Sequence, residues 1–344
     1  MTVAATHQYI DRASGTVRTE RLYRDSVVSF LYGPVREYAP AMFRSLVSRW
    51  NTSLLGYLNY DAPWSAAAWR RFAADNGIDL SECLDDPARF RTARDFFERR
   101  IRYWECRPMP ADEDVIVIPS DARAIVGSAA EASMLFIKEK FFSVSELLGR
   151  HARWVGLFVH GDFAVFRLTP DKYHFNHSPV TGVVVDHFQI EGAFHSCNPL
   201  AAVVEATPYT KNARHVTVID TDVPGGTRAG IVAMIEIVAL MIGEISQCAS
   251  ERGYGAPAPL RPGTLLRRGE PKSLFRPGSS TTVLLFEPGR ASFADDLLRN
   301  RARRDAFSRY AFGLDRTVVE TDVAVRSFLA LSRPPRQPLP EGSR

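Results

Sequence analysis

The chain has 344 residues, 45% of them hydrophobic and 24% charged, the proportions of an ordinary globular protein long enough for one large domain or two smaller ones. Lys and Arg total 43 against 39 Asp and Glu, a net charge of +4. That excess suits an anionic membrane surface but is too small to argue for nucleic acid.

Met1 to Arg24 mixes Arg, Asp and Glu without an apolar run and does not read as a signal peptide. Phe30, Leu31, Tyr38, Met42, Phe43, Leu46 and Trp50 then recur at three- and four-residue spacing. That is the mark of amphipathic helices, so the segment from about residue 25 to 104 is expected to be helical. A second helix is expected from Trp64 to Asn76, stopped by Gly77 in a left-handed cap. A third, Ala93 to Trp104, is expected to carry Phe96, Phe97 and Ile101 inward. From Val115 the texture changes to short β-branched and aromatic runs. These are Val115–Ile118, Met134–Ile137, Trp154–Val159, Phe163–Leu168, Gly182–Ile190, His215–Ile219, Ile231–Ile237 and Thr282–Phe286. His160-Gly161-Asp162 reads as a hairpin turn between two of them. Helices first and strands after indicate an α+β fold, with a helical region over residues 1–104 packed on a β-rich body over 105–330. Residues 331–344 read as a Pro-rich, disordered tail.

No apolar run reaches the length of a membrane span. The longest candidate, Ala229 to Ile245, is interrupted by Glu236 and Glu244, so any membrane contact is expected to be peripheral. Leu31, Phe43, Leu54, Leu55 and Leu58, interleaved with Arg36, Arg44 and Arg49, suit an anionic interface and equally suit packing on the β body. Arg299, Arg301, Arg303 and Arg304 read as a solvated helix face. Cys83, Cys106, Cys197 and Cys248 lack CxxC spacing, so reduced thiols in a cytoplasmic protein are expected. His7, His151, His160, His187, His195 and His215 show no metal-binding spacing, and no metal is expected.

The chemistry is read from Phe275-Arg276-Pro277-Gly278-Ser279-Ser280-Thr281-Thr282, a polar turn directly before an apolar strand. A serine on a tight turn becomes a nucleophile when a base takes its proton. Attack on the carbonyl before it makes an ester, β-elimination splits the chain, and hydrolysis leaves a pyruvoyl group. Its ketone is an electron sink for loss of a carboxylate, the work of pyridoxal phosphate elsewhere. The bland alternative is loop material before a strand. For Asp121, in Ile118-Pro119-Ser120-Asp121, it is an Asx turn, and for His174 and His177 a pair of strand-end imidazoles bonded to carbonyls.

Several segments, taken in order, resemble the phosphatidylserine decarboxylase family. Arg167-Leu168-Thr169-Pro170-Asp171-Lys172-Tyr173-His174-Phe175-Asn176-His177-Ser178-Pro179 resembles the family's R-L-x-P-x-D-Y-H-R-x-H-x-P. Asp95-Phe96-Phe97-Glu98-Arg99 resembles its D-F-F-x-R, and Arg107-Pro108 its R-P. Ile118 to Arg123 resembles S-P-A-D-G-R, Phe142 to Gly149 resembles Y-S-L-x-x-L-L-G, and Ser196-Cys197-Asn198-Pro199 resembles S-V-N-P. The N-terminal helical region is most similar to the bacterial subfamily that lacks a transmembrane leader. The resemblance implies a mostly antiparallel catalytic body and a self-cleaving proenzyme whose two chains stay associated. Its cofactor would be a pyruvoyl group, with neither pyridoxal phosphate nor metal. It further implies that Ser280, His177 and Asp121 form the cleavage triad. His174 would face the same pocket and handle the substrate carboxylate or carbanion.

The sequence departs from the family at Ser279, where the family has glycine, so Ser279 is an alternative nucleophile, with Gly278 and Thr281 flanking the cleavage turn. Leu240 and Glu244 replace the threonine and serine of V-G-A-T-x-V-G-S-I. With His195 and Asn198 they are candidate pocket residues, and a carboxylate there would disfavour a phosphodiester. The expected reaction is phosphatidylserine to phosphatidylethanolamine plus CO2, by a protein at the inner face of the cell membrane, with a homodimer admitted. The alternatives are the same chemistry on a free amino acid, or an uncleaved lipid-binding family member.

Overall fold

The computed structural model describes residues 6–23, 25–128, 142–205, 207–240, 244–250, 252–278, 280–311 and 317–334. In chain order the strands are β1 (Gln8–Asp11), β2 (Val17–Thr19), β3 (Val115–Val117), β4 (Ala122–Ser128), β5 (Asp162–Leu168) and β6 (Phe175–His177). They continue with β7 (Gly182–Ile190), β8 (Arg214–Asp220), β9 (Ile231–Val238), β10 (Ile245–Gln247) and β11 (Leu265–Leu266). The last are β12 (Pro271–Phe275), β13 (Ser280–Phe286), β14 (Ala291–Phe293), β15 (Glu320–Val323) and β16 (Phe328–Ser332). A ten-stranded sheet runs β11-β7-β8-β9-β13-β5-β4-β15-β1-β2, accompanied by two three-stranded sheets, β10-β12-β6 and β14-β16-β3. Every pairing is antiparallel except β1 with β15. The α+β, mostly antiparallel expectation therefore holds.

β13 is buried along its whole length and pairs with β5 on one side and β9 on the other. Its run of Thr, Val, Leu and Phe suits an extended chain covered on both faces. Side chains alternate across the sheet. Leu284 and Phe286 join the core shared with Ile245 and Phe275 of the β10-β12-β6 sheet. Val283 and Leu285 face the opposite core, with Trp154, Phe158 and Leu147 of the covering helices.

The N-terminal helices form two small cores of their own. Val28, Leu31, Tyr32, Val35, Phe43 and Val47 close over Ala201, and Trp69 stacks on Phe96 with ring centroids 5.3 Å apart. Gly77 has φ +60° just beyond the Ser65–Asp75 helix, as its capping position requires. The first helices widen by a turn at Leu31–Val35, where Pro34 has no N–H to give the ladder.

Four expectations need correction. Residues 154–158 belong to a helix, Ala152–Phe158, because Trp154 and Phe158 bury one helical face. His160-Gly161-Asp162 is therefore a helix-to-strand joint. Its glycine is demanded by a close approach, since a Cβ there would lie 1.8 Å from the Phe286 carbonyl oxygen. The Ala93 helix ends at Phe97 and a new one spans Tyr103–Cys106. Between them the buried Arg99 guanidinium takes up the carbonyls of Phe96, Asp171 and Lys172. At the C-terminal end, residues 331 and 332 belong to β16 rather than to a tail. The Met134–Ile137 run, Ser279 and residues 335–344 lie outside the described residues.

β1 and β2, passed over in the sequence, extend the large sheet. The joint is electrostatic: Arg167 of β5 donates to both oxygens of Glu20, at 2.9 and 2.6 Å, and to both of Glu320 on β15, at 2.9 and 2.5 Å. His7 also contacts Glu320, at 2.8 Å. The carboxylates of Glu20 and Glu320 and the ring of His7 come within 4.8 Å of one another, and the guanidinium binds both carboxylates. Replacing Arg167 by Leu leaves two buried carboxylates without their cation. The expected loss is about 3–5 kcal/mol of unfolding free energy, read from denaturant titration; a loss under about 1 kcal/mol would contradict this role.

Candidate active site

Ser280 is the first paired residue of β13, opposite Leu168 of β5 and Val238 of β9. Gly278 turns the chain into it with φ +145°, a conformation open chiefly to glycine. Thr281 points to one side of the sheet and donates to Cys197 Sγ at 3.1 Å. Thr282 points to the other and donates to Asn176 Oδ1 of β6 at 3.0 Å. By alternation Ser280 shares the Thr282 side. It is 2% exposed and its Oγ has no hydrogen-bond partner.

His174 lies just before β6, and its carbonyl receives the Phe275 N–H at 3.0 Å. Four residues, 276–279, separate Phe275 at the end of β12 from Ser280 at the start of β13. His174 precedes Asn176 by two residues as Ser280 precedes Thr282, and Asn176 and Thr282 are in contact at 3.0 Å. Its Nδ1 donates to the Lys172 carbonyl at 2.8 Å, and its ring lies against Phe97 with centroids 3.6 Å apart. Nε2 is left as the lone-pair nitrogen, buried and without a partner. Burial, with the Arg99 charge nearby, lowers the His174 pKa to about 3, so the ring is neutral and able to accept a proton.

His177 does not face the same side. A spacing of three on extended chain sends the two rings in opposite directions, correcting the expectation of one shared pocket. His177 Nδ1 donates to the Gly269 carbonyl at 2.8 Å, and Nε2 lies 2.9 Å from the Tyr173 hydroxyl. That hydroxyl is 2.6 Å from Tyr254 Oη. Asp121 accepts the Val325 N–H at 2.7 Å and is bound by Arg107, which also holds Glu82. Although Asp121 is buried, the Arg107 charge keeps its pKa low. The His177 N–H bonds to the Pro119 carbonyl at 2.7 Å, which ties β6 to the Asp121 turn. No hydrogen bond joins Asp121, His177 and Ser280 to one another. Phe97, Arg107, Tyr173 and Tyr254 were not singled out as site residues in the sequence, although the first three lie in the family-like segments.

A cavity of about 580 Å3 opens between the N-terminal helices and the body. Val28, Leu31, Met42, Leu46, Leu55 and Phe72 line it from the helices, and Phe97, Leu168, Pro170, Leu240 and Gly278 from the reacting end. Asn198 also lines it, while donating to Asp25 and capping the Pro199–Val204 helix. His195 is buried beside Tyr32, its Nδ1 3.4 Å from the hydroxyl, and does not line the cavity. Glu244 is absent from the wall as well: its side chain is 63% exposed and pairs with Arg276 at 3.6 Å.

The buried histidines set a pH dependence. Burial lowers the pKa of His177 from 6.5 to about 4, and of His187 to about 4, so the folded chain binds these protons more weakly than the unfolded one. Their contribution is intact above 6.5 and is lost as pH falls through about 4. The thermal midpoint is expected to drop between about pH 7 and about pH 5, and less so in His177→Gln; an equal drop in that variant would contradict the assignment.

Comparison with known proteins identifies the family. The family model described as Phosphatidylserine decarboxylase matches residues 93–306. The phosphatidylserine decarboxylase proenzyme of Chlamydia pneumoniae is 30% identical over 297 residues, covering 85% of this chain and 91% of its own. That of Chlamydia trachomatis serovar D is also 30% identical over 297 residues, covering 84% and 90%. Phosphatidylserine decarboxylase proenzyme 3 of Schizosaccharomyces pombe is 30% identical over 246 residues, covering 71% of this chain and 24% of its own. The chain belongs to the phosphatidylserine decarboxylase family.

Proposed function

We propose that the protein cleaves itself at the 279–280 bond and then decarboxylates phosphatidylserine to phosphatidylethanolamine. The observation that carries this reading is the pair of buried, unpartnered atoms, Ser280 Oγ and His174 Nε2, whose neighbours Gly278 and Phe97 stand in the wall of an apolar cavity. A buried hydroxyl without a partner is costly, and a self-processing nucleophile accounts for it.

In the cleavage, His174 Nε2 takes the hydroxyl proton as Ser280 Oγ adds to the carbonyl carbon of residue 279. The peptide C–N bond breaks, the proton passes to the departing nitrogen, and an ester remains. Loss of the residue 280 α-proton expels the carboxylate of residue 279 and leaves dehydroalanine. Water then displaces its nitrogen as ammonia, which makes the pyruvoyl group. The buried Ser280 position, free of competing hydrogen bonds, fits that group, whose ketone supplies an electron sink for loss of CO2 from an amine-bearing substrate. His174 Nε2 returns a proton to the carbon that has lost its carboxylate; a ring with so low a pKa gives its proton up readily. His177 and Asp121 act on this centre from behind. His177 locks the Tyr173–His177 segment, and Asp121, neutralised by Arg107, locks the neighbouring turn. The two chains stay together because β13, the start of the small one, is zipped between β5 and β9 of the large one.

The cavity favours a lipid over a free amino acid. Its walls are largely apolar, Leu240 adds to them where the family has threonine, and Glu244 brings no carboxylate into them. Among the described residues no helix is long and apolar enough to cross a membrane. Phe30, Tyr38, Trp50, Leu54 and Trp64 are exposed on the helices that roof the cavity, Trp50 at 88%. With Arg36, Arg44 and Arg49 interleaved, that surface rests on an anionic bilayer and draws lipid from it.

Diacyl phosphatidylserine in vesicles should be decarboxylated with kcat/KM at least about 100-fold above glycerophosphoserine or free serine, since each buried methylene is worth about 0.8 kcal/mol. Co-flotation with the vesicles should fall in Phe30→Ser/Trp50→Ser. Equal turnover of free serine would overturn the lipid reading, and unchanged flotation the membrane contact.

A further inference from the structure

The segment Asp95-Phe96-Phe97-Glu98-Arg99 meets His174 at two points. Its helix, Ala93–Phe97, starts in a capping box of Thr92 and Asp95. It ends where Arg99 folds back to donate to the Phe96 carbonyl at 3.2 Å, with its guanidinium 4.6 Å from the centre of the Phe96 ring. An arginine bonded to a last-turn carbonyl closes a helix end. From there Arg99 Nη2 donates to the carbonyls of Asp171 and Lys172, at 3.1 and 3.2 Å. The same Lys172 carbonyl accepts from His174 Nδ1 at 2.8 Å. Phe97, from the same helix end, covers the face of the His174 ring with centroids 3.6 Å apart. Arg99 is buried, and unlike Arg107, Arg167 and Arg309 it bonds carbonyls rather than carboxylates. A buried cation without a bonded counter-charge is costly, and this one is spent on the chain just before His174.

We infer that Arg99 is a positioning residue for decarboxylation: by holding the Lys172 carbonyl it fixes the His174 proton on Nδ1 and keeps Nε2 bare for proton transfer. A carbonyl can only accept, so the nitrogen facing it carries the hydrogen, and the hydrogen bond at one ring nitrogen decides the state of the other. With the carbonyl released, the proton could move to Nε2 and block it. Phe97 fixes the plane of the ring. Burial, and after it the Arg99 charge, oppose a second proton on the ring, while the Lys172 carbonyl, Asp171 and Asp121 favour one. Arg99 does not line the cavity, whereas Phe97 does, so Arg99 acts on the substrate only through His174. The inference rests on the reading that His174 handles a proton in decarboxylation, and takes nothing from the cleavage step.

The test uses the purified full chain, made with isotopically labelled histidine so that nitrogen NMR separates protonated from bare ring nitrogens. The His174 signals are identified by their absence from His174→Gln. At about pH 7 the wild type is expected to show Nδ1 protonated and Nε2 bare. A proton on Nε2 instead would overturn the inference without recourse to any variant. Arg99→Met removes the donors and the charge. It is expected to mix the two tautomers and to lower kcat on phosphatidylserine vesicles at least about tenfold, with KM within about twofold of wild type. Arg99→Lys, which returns a cationic donor, should regain the single tautomer and most of kcat. Should Arg99→Met fail to fold, as judged by its thermal unfolding, the wild-type tautomer and Arg99→Lys carry the decision. A folded Arg99→Met chain with wild-type kcat, or a loss of kcat with the tautomer unchanged, would overturn the inference alone. A wild-type protein that releases no CO2 from phosphatidylserine would overturn the parent reading, with the tautomer still deciding what Arg99 does to His174.

Discussion

The arrangement depends on β13 being paired along its length to β5 and β9. Two ladders leave the strand no freedom to shift, so its first residue, Ser280, is held in place by hydrogen bonds that have no part in chemistry. The chain enters the strand through Gly278, which takes a backbone angle other residues avoid. A nucleophile at the junction of a rigid strand and a glycine turn is close to its own carbonyl without being free to wander. The same ladders hold the halves of the chain together once the turn is cut.

Around that junction charges are neutralised in pairs while the His174 imidazole is left alone. Arg107 balances Asp121, Arg167 balances Glu20 and Glu320, and Lys272 balances Glu236. Arg99 spends its donors on carbonyls that precede His174. His174 itself sits against Phe97, neutral, with one nitrogen bound to a carbonyl and the other open. Burial thus does two things: it makes every unpaired charge costly, and it keeps His174 in the state that accepts a proton.

Most of the body could be read from the sequence, because β5, β7, β8, β9 and β13 are long β-branched runs whose period and burial agree. The place of Ser280 at the head of β13 was legible through the apolar run after it. Trp154–Phe158 misled because its aromatic and β-branched residues are those of a strand, and only packing against Val216 and Val218 in the covering core decides for a helix. The Ala93 helix was over-extended because nothing local shows that Arg99 will be buried and will claim carbonyls from a distant segment. His174 and His177 were legible as a pair but not as facing apart, since that depends on the chain being extended between them. The Glu236–Lys272 ion pair was invisible: its members are far apart in sequence, and Glu236 read only as an interruption of an apolar run.

The most direct test of the account is the intact mass, under denaturing conditions, of freshly expressed protein. Self-cleavage at Ser280 predicts two chains, the smaller covering residues 280–344 and beginning with a pyruvoyl group in place of serine. A smaller chain one serine residue heavier would move the nucleophile to Ser279. A single chain of full mass, with no fragment at any time, would contradict the central claim.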